Sequence, residues 1–86
     1  MPDTFTIAHL LADIARVMVD RAELVTIQVL EQDSETSFVL SVPAGEMGKL
    51  IGKQGRTARA IRIILNEMRR VDKRAYSLDL RRIEAD

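Results

Sequence analysis

The repeat of apolar residues changes several times along the chain, and each repeat admits one kind of element. From Ile7 onward, Ile7, Leu10, Leu11, Ile14, Val17 and Met18 follow the i, i+3, i+4, i+7 spacing of a single helix face. This predicts a first helix over about 6–20, with Thr4 or Thr6 as its cap. The period then drops to two. Val25, Ile27 and Val29 alternate with Thr26 and Gln28, a polar segment runs from Glu31 to Glu35, and Phe38, Leu40 and Val42 alternate with Ser37 and Ser41. That pattern is an antiparallel hairpin. After Pro43-Ala44-Gly45 the helical spacing returns in a short segment, Glu46 to Ile51. Gly52-Lys53-Gln54-Gly55 interrupts it, and a longer helix follows from about Arg56 to Val71. Tyr76, Leu78 and Leu80 mark a last strand.

The order is therefore α-β-β-α-α-β, an α+β chain with a three-stranded mixed sheet and helices packed on one face. The strand at 37–42 reaches the strand at 75–82 through two helices, so as sheet neighbours they run parallel by a right-handed crossover. Eighty-six residues suffice for one modest core, and a single domain over 1–86 is expected, with only the last few residues dispensable.

Several function classes fall away on composition. Without cysteine there is no thiol chemistry and no cysteine zinc site. His9, the one histidine, lies off the apolar stripe and has no second histidine to pair with on a metal. The carboxylates Glu31, Asp33 and Glu35 lack the glycine and ligand spacing of a calcium loop, and no nucleophile with its base is recognisable. An enzyme is the least favoured class, and no cofactor is expected. No apolar run approaches the ~18 residues of a membrane span, and no secretory leader is recognisable. The expected setting is the cytoplasm, away from membranes.

The formal net charge of zero conceals an asymmetry. Residues 1–46 carry eight acidic and two basic side chains, whereas residues 47–86 carry eleven basic and five acidic ones. Within 49–74 the count is nine basic against two acidic, a density that suits a polyanionic partner or a solvated helix face.

The segment Gly48-Lys49-Leu50-Ile51-Gly52-Lys53-Gln54-Gly55-Arg56 stands out within it. Two glycines three apart, between helical segments, permit a tight turn and leave no Cβ to hold off a sugar-phosphate chain. The start of the next helix adds N–H donors and partial positive charge. Lys53 and Arg56 add formal charge, which Lys49 extends from one turn earlier. A purely structural helix corner remains open on spacing alone. The Walker and dinucleotide patterns do not fit, since Leu50 stands where the latter needs its first glycine.

Ile51-Gly52-Lys53-Gln54-Gly55-Arg56 resembles the Ile-Gly-x-x-Gly signature of KH domains, and the element order is that of the type II arrangement. The stretch from Met47 to Arg62 is similar to the KhpA family of small, free-standing bacterial RNA-binding proteins. Many KH domains carry a larger aliphatic residue where this chain has Ala58. The resemblance covers nearly the whole chain, with a motif core at about 36–83. It implies that Gly52 and Gly55 allow close approach of the nucleic-acid backbone and that Lys53 and Gln54 face its phosphates. Leu50, Ile51 and the neighbouring strand would wall an apolar groove that holds about four unpaired nucleotides. It further implies single-stranded RNA as partner, an RNA-chaperone role, a second KH protein of the KhpB type, and a link to cell-envelope homeostasis, including cell shape and cell-wall biogenesis.

Composition agrees from another direction, because RNA binders of other folds need exposed aromatic platforms. Phe5, Phe38 and Tyr76 are the only aromatic residues, and Phe38 and Tyr76 sit in strand alternation and are expected in the core. On the second long helix Ala58, Ile61, Ile64, Leu65 and Met68 form the apolar face. Arg59, Arg62, Arg69, Arg70 and Lys73 fall opposite. These five either contact RNA phosphates or form the solvated face of the helix; Arg59, nearest the loop, is the candidate RNA contact, and Ile63 among them is a candidate contact for a homodimer. The competing class is thus a KH-type dimerisation module with little RNA affinity of its own.

Overall fold

The computed structural model describes residues 3–84; the final two residues, among those expected to be dispensable, lie outside that range. Helix α1 (Thr4–Met18) begins earlier than the apolar spacing indicates because Asp3 caps it, not Thr4 or Thr6. The Thr6 N–H donates to Asp3 Oδ1 at 2.8 Å, and that bond holds the Asp3 carboxyl below the usual carboxylate range. Its buried face is Ile7, Ala8, Leu11, Ala12 and Ala15, while Leu10 and Val17, expected on that face, are exposed. At 100° per residue the helix is rolled by roughly a quarter turn toward its alanines. Small side chains there let the helix approach the sheet closely.

A single 3₁₀ turn, Ala22–Leu24, leads through buried Val25 into β1 (Thr26–Glu31). Strand β2 (Glu35–Pro43) pairs antiparallel with it, from Thr26 opposite Ser41 to Glu31 opposite Thr36. Strand β3 (Ala75–Ile83) lies parallel to β2 on the other side, from Glu35 beside Ala75 to Pro43 beside Ile83. The mixed sheet of order β1-β2-β3 is the expected one. Side chains alternate across it. Ile27, Leu40 and Leu80 share one row of the core face, and Val29, Phe38 and Leu78 share the next. The opposite face carries polar rows, and Ser77 Oγ donates to Ser37 Oγ at 3.0 Å there.

The helices α2 (Met47–Ile51) and α3 (Arg56–Asp72) complete the layer over the sheet. On α3, Ala58, Ile61 and Leu65 are buried and Met68 is partly so, whereas Ile64, expected on this face, is exposed. The helix stops at Lys73, which takes a left-handed conformation with φ +61°. Phe38 is fully buried in the core, as its alternation indicates, and stacks 6.4 Å from Tyr76, which is only partly buried against that core. The Tyr76 hydroxyl donates to Asp72 Oδ2 at 2.7 Å, which pushes the phenol pKa up.

The hairpin turn at 32–34 is solvated, as expected, but tied from behind by a residue the sequence does not single out. The Arg74 guanidinium donates to the carbonyls of Gln32, Asp33 and Glu35, and its Nε donates at 2.7 Å to Oγ1 of fully buried Thr36. One side chain thereby satisfies several acceptors of a tight turn.

Candidate nucleic-acid interface

The loop between α2 and α3 is built on positive backbone angles. Gly52 has φ +81° and ψ 171°, a region only glycine occupies readily, and Gly55 has φ +71°. Gln54 between them also has φ +58°, a left-handed residue that is not glycine. The two glycines differ in kind. A Cβ on Gly52 would meet Thr57 Oγ1 at 2.6 Å, whereas on Gly55 its closest neighbour would be the Ile51 Cγ2 at 4.0 Å. Gly52 is thus required by the fold, whereas Gly55, half-buried, has room for a Cβ in ordinary contact with Ile51. Gly55 also caps α3 without a side chain; the Arg56 N–H donates to the Lys53 carbonyl, and no side chain of the cap competes for the N–H groups that follow it.

Beside this loop, α3 and β3 enclose an open groove of about 540 Å³ lined by Ile51, Gln54, Gly55, Ala58, Arg59, Arg62, Ile63, Asn66 and Leu80. Its floor is apolar, from Ile51, Ala58 and Leu80. Arg59 and Arg62 stand on one side, and the small Ala58 side chain leaves the space beside them unfilled. Exposed Lys53 and Arg56 flank the loop, and Arg56 lies within 3.4 Å of Gln54 Oε1. Among the described residues none of Lys53, Arg56, Arg59 and Arg62 forms an ion pair with a carboxylate. Their charge is available to an anion.

Two of the residues expected at this site are placed otherwise. Leu50 is only 1% exposed and belongs to the core, so it is no part of the groove surface. Successive helix positions turn by 100°, so when Leu50 points inward Ile51 must point to the groove. Lys49 is not free, because its Nζ donates to Asp20 Oδ2, and that bond raises the lysine pKa. Ile63, 55% exposed, lies in the groove wall. Asn66, two turns beyond Arg59, was missed, although its i+7 spacing from Arg59 was legible.

A buried carboxylate anchors the segment from behind. Glu46, 6% exposed, accepts from the N–H groups of Asp20 and Arg21 and from Arg21 Nε at 2.8 Å. The Arg21 bonds hold its carboxyl below the usual glutamate range. This ties the end of α1 to the start of α2, and so fixes the base of the loop.

A family model described as the KH domain of KhpA/KhpB matches residues 8–80, spanning the helices, the sheet and the loop. The chain belongs to this KH-domain family. Chlamydia muridarum has an "RNA-binding protein KhpA" 37% identical over 70 residues, which cover 81% of this chain and 90% of the relative. The protein of that name from Treponema pallidum is 37% identical over 72 residues, 84% of this chain and 90% of its own. The one from Listeria monocytogenes is 43% identical over 57 residues, 66% and 75% of the two chains. The KH domain is not an enzyme family. Among the described residues no helix is long and apolar enough to cross a membrane.

Proposed function

We propose that this KH domain binds single-stranded RNA, without chemistry, by closing the Gly52–Gly55 loop on the sugar-phosphate backbone and seating unpaired bases in the apolar groove. The observation that carries the reading is the junction of bare Gly55 backbone and unpaired cations with a groove floored by Ile51, Ala58 and Leu80. A phosphate needs the first, and a base face needs the second. Lys53, Gln54 and Arg56 act at the loop and Arg59 at the groove edge. Lys49 contributes through its hold on Asp20. Relatives that carry the name RNA-binding protein support the same reading. Its finer part is RNA-chaperone action in the cytoplasm, with a KhpB-type KH protein as partner and a link to cell-envelope homeostasis. The resemblance to the family supports that part.

The test is the double variant Lys53→Asp, Gln54→Asp. Aspartate tolerates the left-handed backbone at position 54, and both side chains are exposed, so the melting curve should stay nearly unchanged. Binding of short RNA homopolymers should collapse. Unaltered affinity in the folded variant would falsify the loop's role. In the wild type, three or four phosphate contacts give a log K against log salt slope of about −2 to −3.

A second reading, a dimerisation module with little RNA affinity, is favoured by one observation. Ile63 and Ile64 are adjacent and 55% and 58% exposed, and Ile64 with Leu10 borders an apolar cleft of about 320 Å³ between α1 and α3. It requires a concentration-dependent dimer that retains no RNA. Ile63→Glu should then weaken self-association and leave the fold intact; a dimer untouched by this change has its contact elsewhere.

A further inference from the structure

The groove beside the loop does not end the basic surface. Asn66 lines it at one end, and the same residue lines a second open depression of about 580 Å³ with Arg69, Arg70 and Lys73. Asn66 also borders a smaller hollow with Arg62, Tyr76 and Ser77, between α3 and β3. Three concavities meet at one exposed amide that both donates and accepts. At 100° per residue Arg59, Arg62, Asn66, Arg69 and Lys73 fall within about a quarter of the helix circumference, and Arg59 to Lys73 covers about 21 Å of axis.

The charges along this line meet no carboxylate among the described residues, although Arg62 donates to the Leu78 carbonyl at 3.5 Å. Among the described residues Arg70 pairs with Glu67 at 3.0 Å, but Arg69 and Lys73 join Arg59 and Arg62 in forming no ion pair. Cations in the last helical turn also complement the helix dipole. That explanation covers Arg69, Arg70 and the C-cap Lys73, but not Arg59 and Arg62. It accounts neither for an unbroken line that begins about three turns earlier at Arg59 nor for the depressions that run beside it.

We infer that a bound single strand of RNA does not leave the protein at the end of the groove but continues along the outer face of α3, past Asn66, to phosphate contacts at Arg69 and Lys73. The inference rests on the RNA-binding reading above and extends it from a four-nucleotide clamp to a longer track. Charge complementarity and continuity with the loop groove select a polyanion. The width of the open depressions suits a backbone track, with Asn66 reaching a base edge or a 2′-hydroxyl. Longer strands therefore gain affinity through phosphates, with little dependence on base identity.

The experiment compares tetrauridylate with decauridylate, on the wild type and on the double variant Arg69→Gln, Lys73→Asn, across salt concentrations. Asparagine suits the left-handed cap at position 73. Two further phosphate contacts steepen the decamer's log–log salt slope by about 1.4. Between 200 and 50 mM salt its advantage over the tetramer then grows about sevenfold in the wild type. The variant should lose that growth and bind the tetramer as the wild type does. Unchanged decamer behaviour in the variant overturns the track, as does an equal loss for both oligomers. Wild type that binds neither oligomer overturns the RNA reading itself, and with it the track. Backbone amide shifts of the wild type supply a second measurement free of any substitution. The decamer should move Asn66, Arg69 and Lys73 and the tetramer should not, and identical shift patterns overturn the inference.

Discussion

Thr57 Oγ1 lies 2.6 Å from the point where a side chain on Gly52 would begin. The first turn of α3 is therefore packed onto the loop through a gap that only a hydrogen atom fits, and the glycine there serves the fold before it serves a ligand. Gly55, three residues on, has room for a Cβ, with Ile51 Cγ2 at 4.0 Å as its nearest neighbour. The motif's two glycines have different duties, and they separate experimentally.

Gly52→Ala should cost about 1–3 kcal/mol from its backbone conformation alone, with the contact to Thr57 added. Gly55→Ala makes only an ordinary contact with Ile51 and should cost about 1–2 kcal/mol for its left-handed backbone. Thermal melts should rank Gly52→Ala as the less stable. RNA titration should show Gly55→Ala losing affinity while folded, because its methyl group stands where the backbone must approach. The reverse order of stability would refute this division of labour.

Leu50 and Ile51 are neighbours with opposite fates. Leu50→Ala opens a cavity in the core and should destabilise the protein by about 2–5 kcal/mol. Ile51→Ala removes part of an exposed groove wall, so its expected signature is weaker RNA binding with a smaller loss in stability. Denaturant unfolding of both variants checks the first statement, and binding by the folded Ile51→Ala protein checks the second.

Glu46 carries a pH dependence whose sign is set by Arg21. The bonds from Arg21 favour the ionised carboxylate, so the folded pKa lies below the unfolded one. That stabilisation is fully present above the ordinary glutamate range and is lost as pH falls through it toward the folded pKa. Glu46→Gln should melt below the wild type near neutral pH, and the gap should narrow between about pH 5 and about pH 3. A gap that stays constant with pH would rule out the ion pair as its cause.

Arg74→Lys keeps the charge but not the fork. A lysine cannot reproduce donors to Thr36 Oγ1 and the turn carbonyls at once. Losing the partner of a buried hydroxyl costs about 1–3 kcal/mol. Hydrogen exchange at residues 32–36 should accelerate, while the amides of α3 remain protected to the limit set by global stability. Unchanged exchange in the turn would show that the hairpin holds without the clamp.

Local chemistry determined the order of elements, because a repeat of two and a repeat of 3.6 are set by the backbone itself and are written directly in Val25 to Val42 and in Arg56 to Met68. The loop was legible for the same reason: Gly52 and Gly55 with Lys53 between them announce a tight basic turn wherever the chain places it. What remained for the tertiary structure was which way each element faces and what each charge meets. α1 rolled toward its alanines and left Leu10 and Val17 outside, Leu50 went inward while Ile51 went out, and Lys49 turned to Asp20. Arg74 found a hairpin turn some forty residues earlier in the chain. Periodicity gives an apolar arc only to within a residue or two, and an ion pair between distant segments leaves no trace in local spacing. Both are decided when the layers close, since helix roll answers to the shape of the sheet face and a charge answers to the nearest partner that packing delivers.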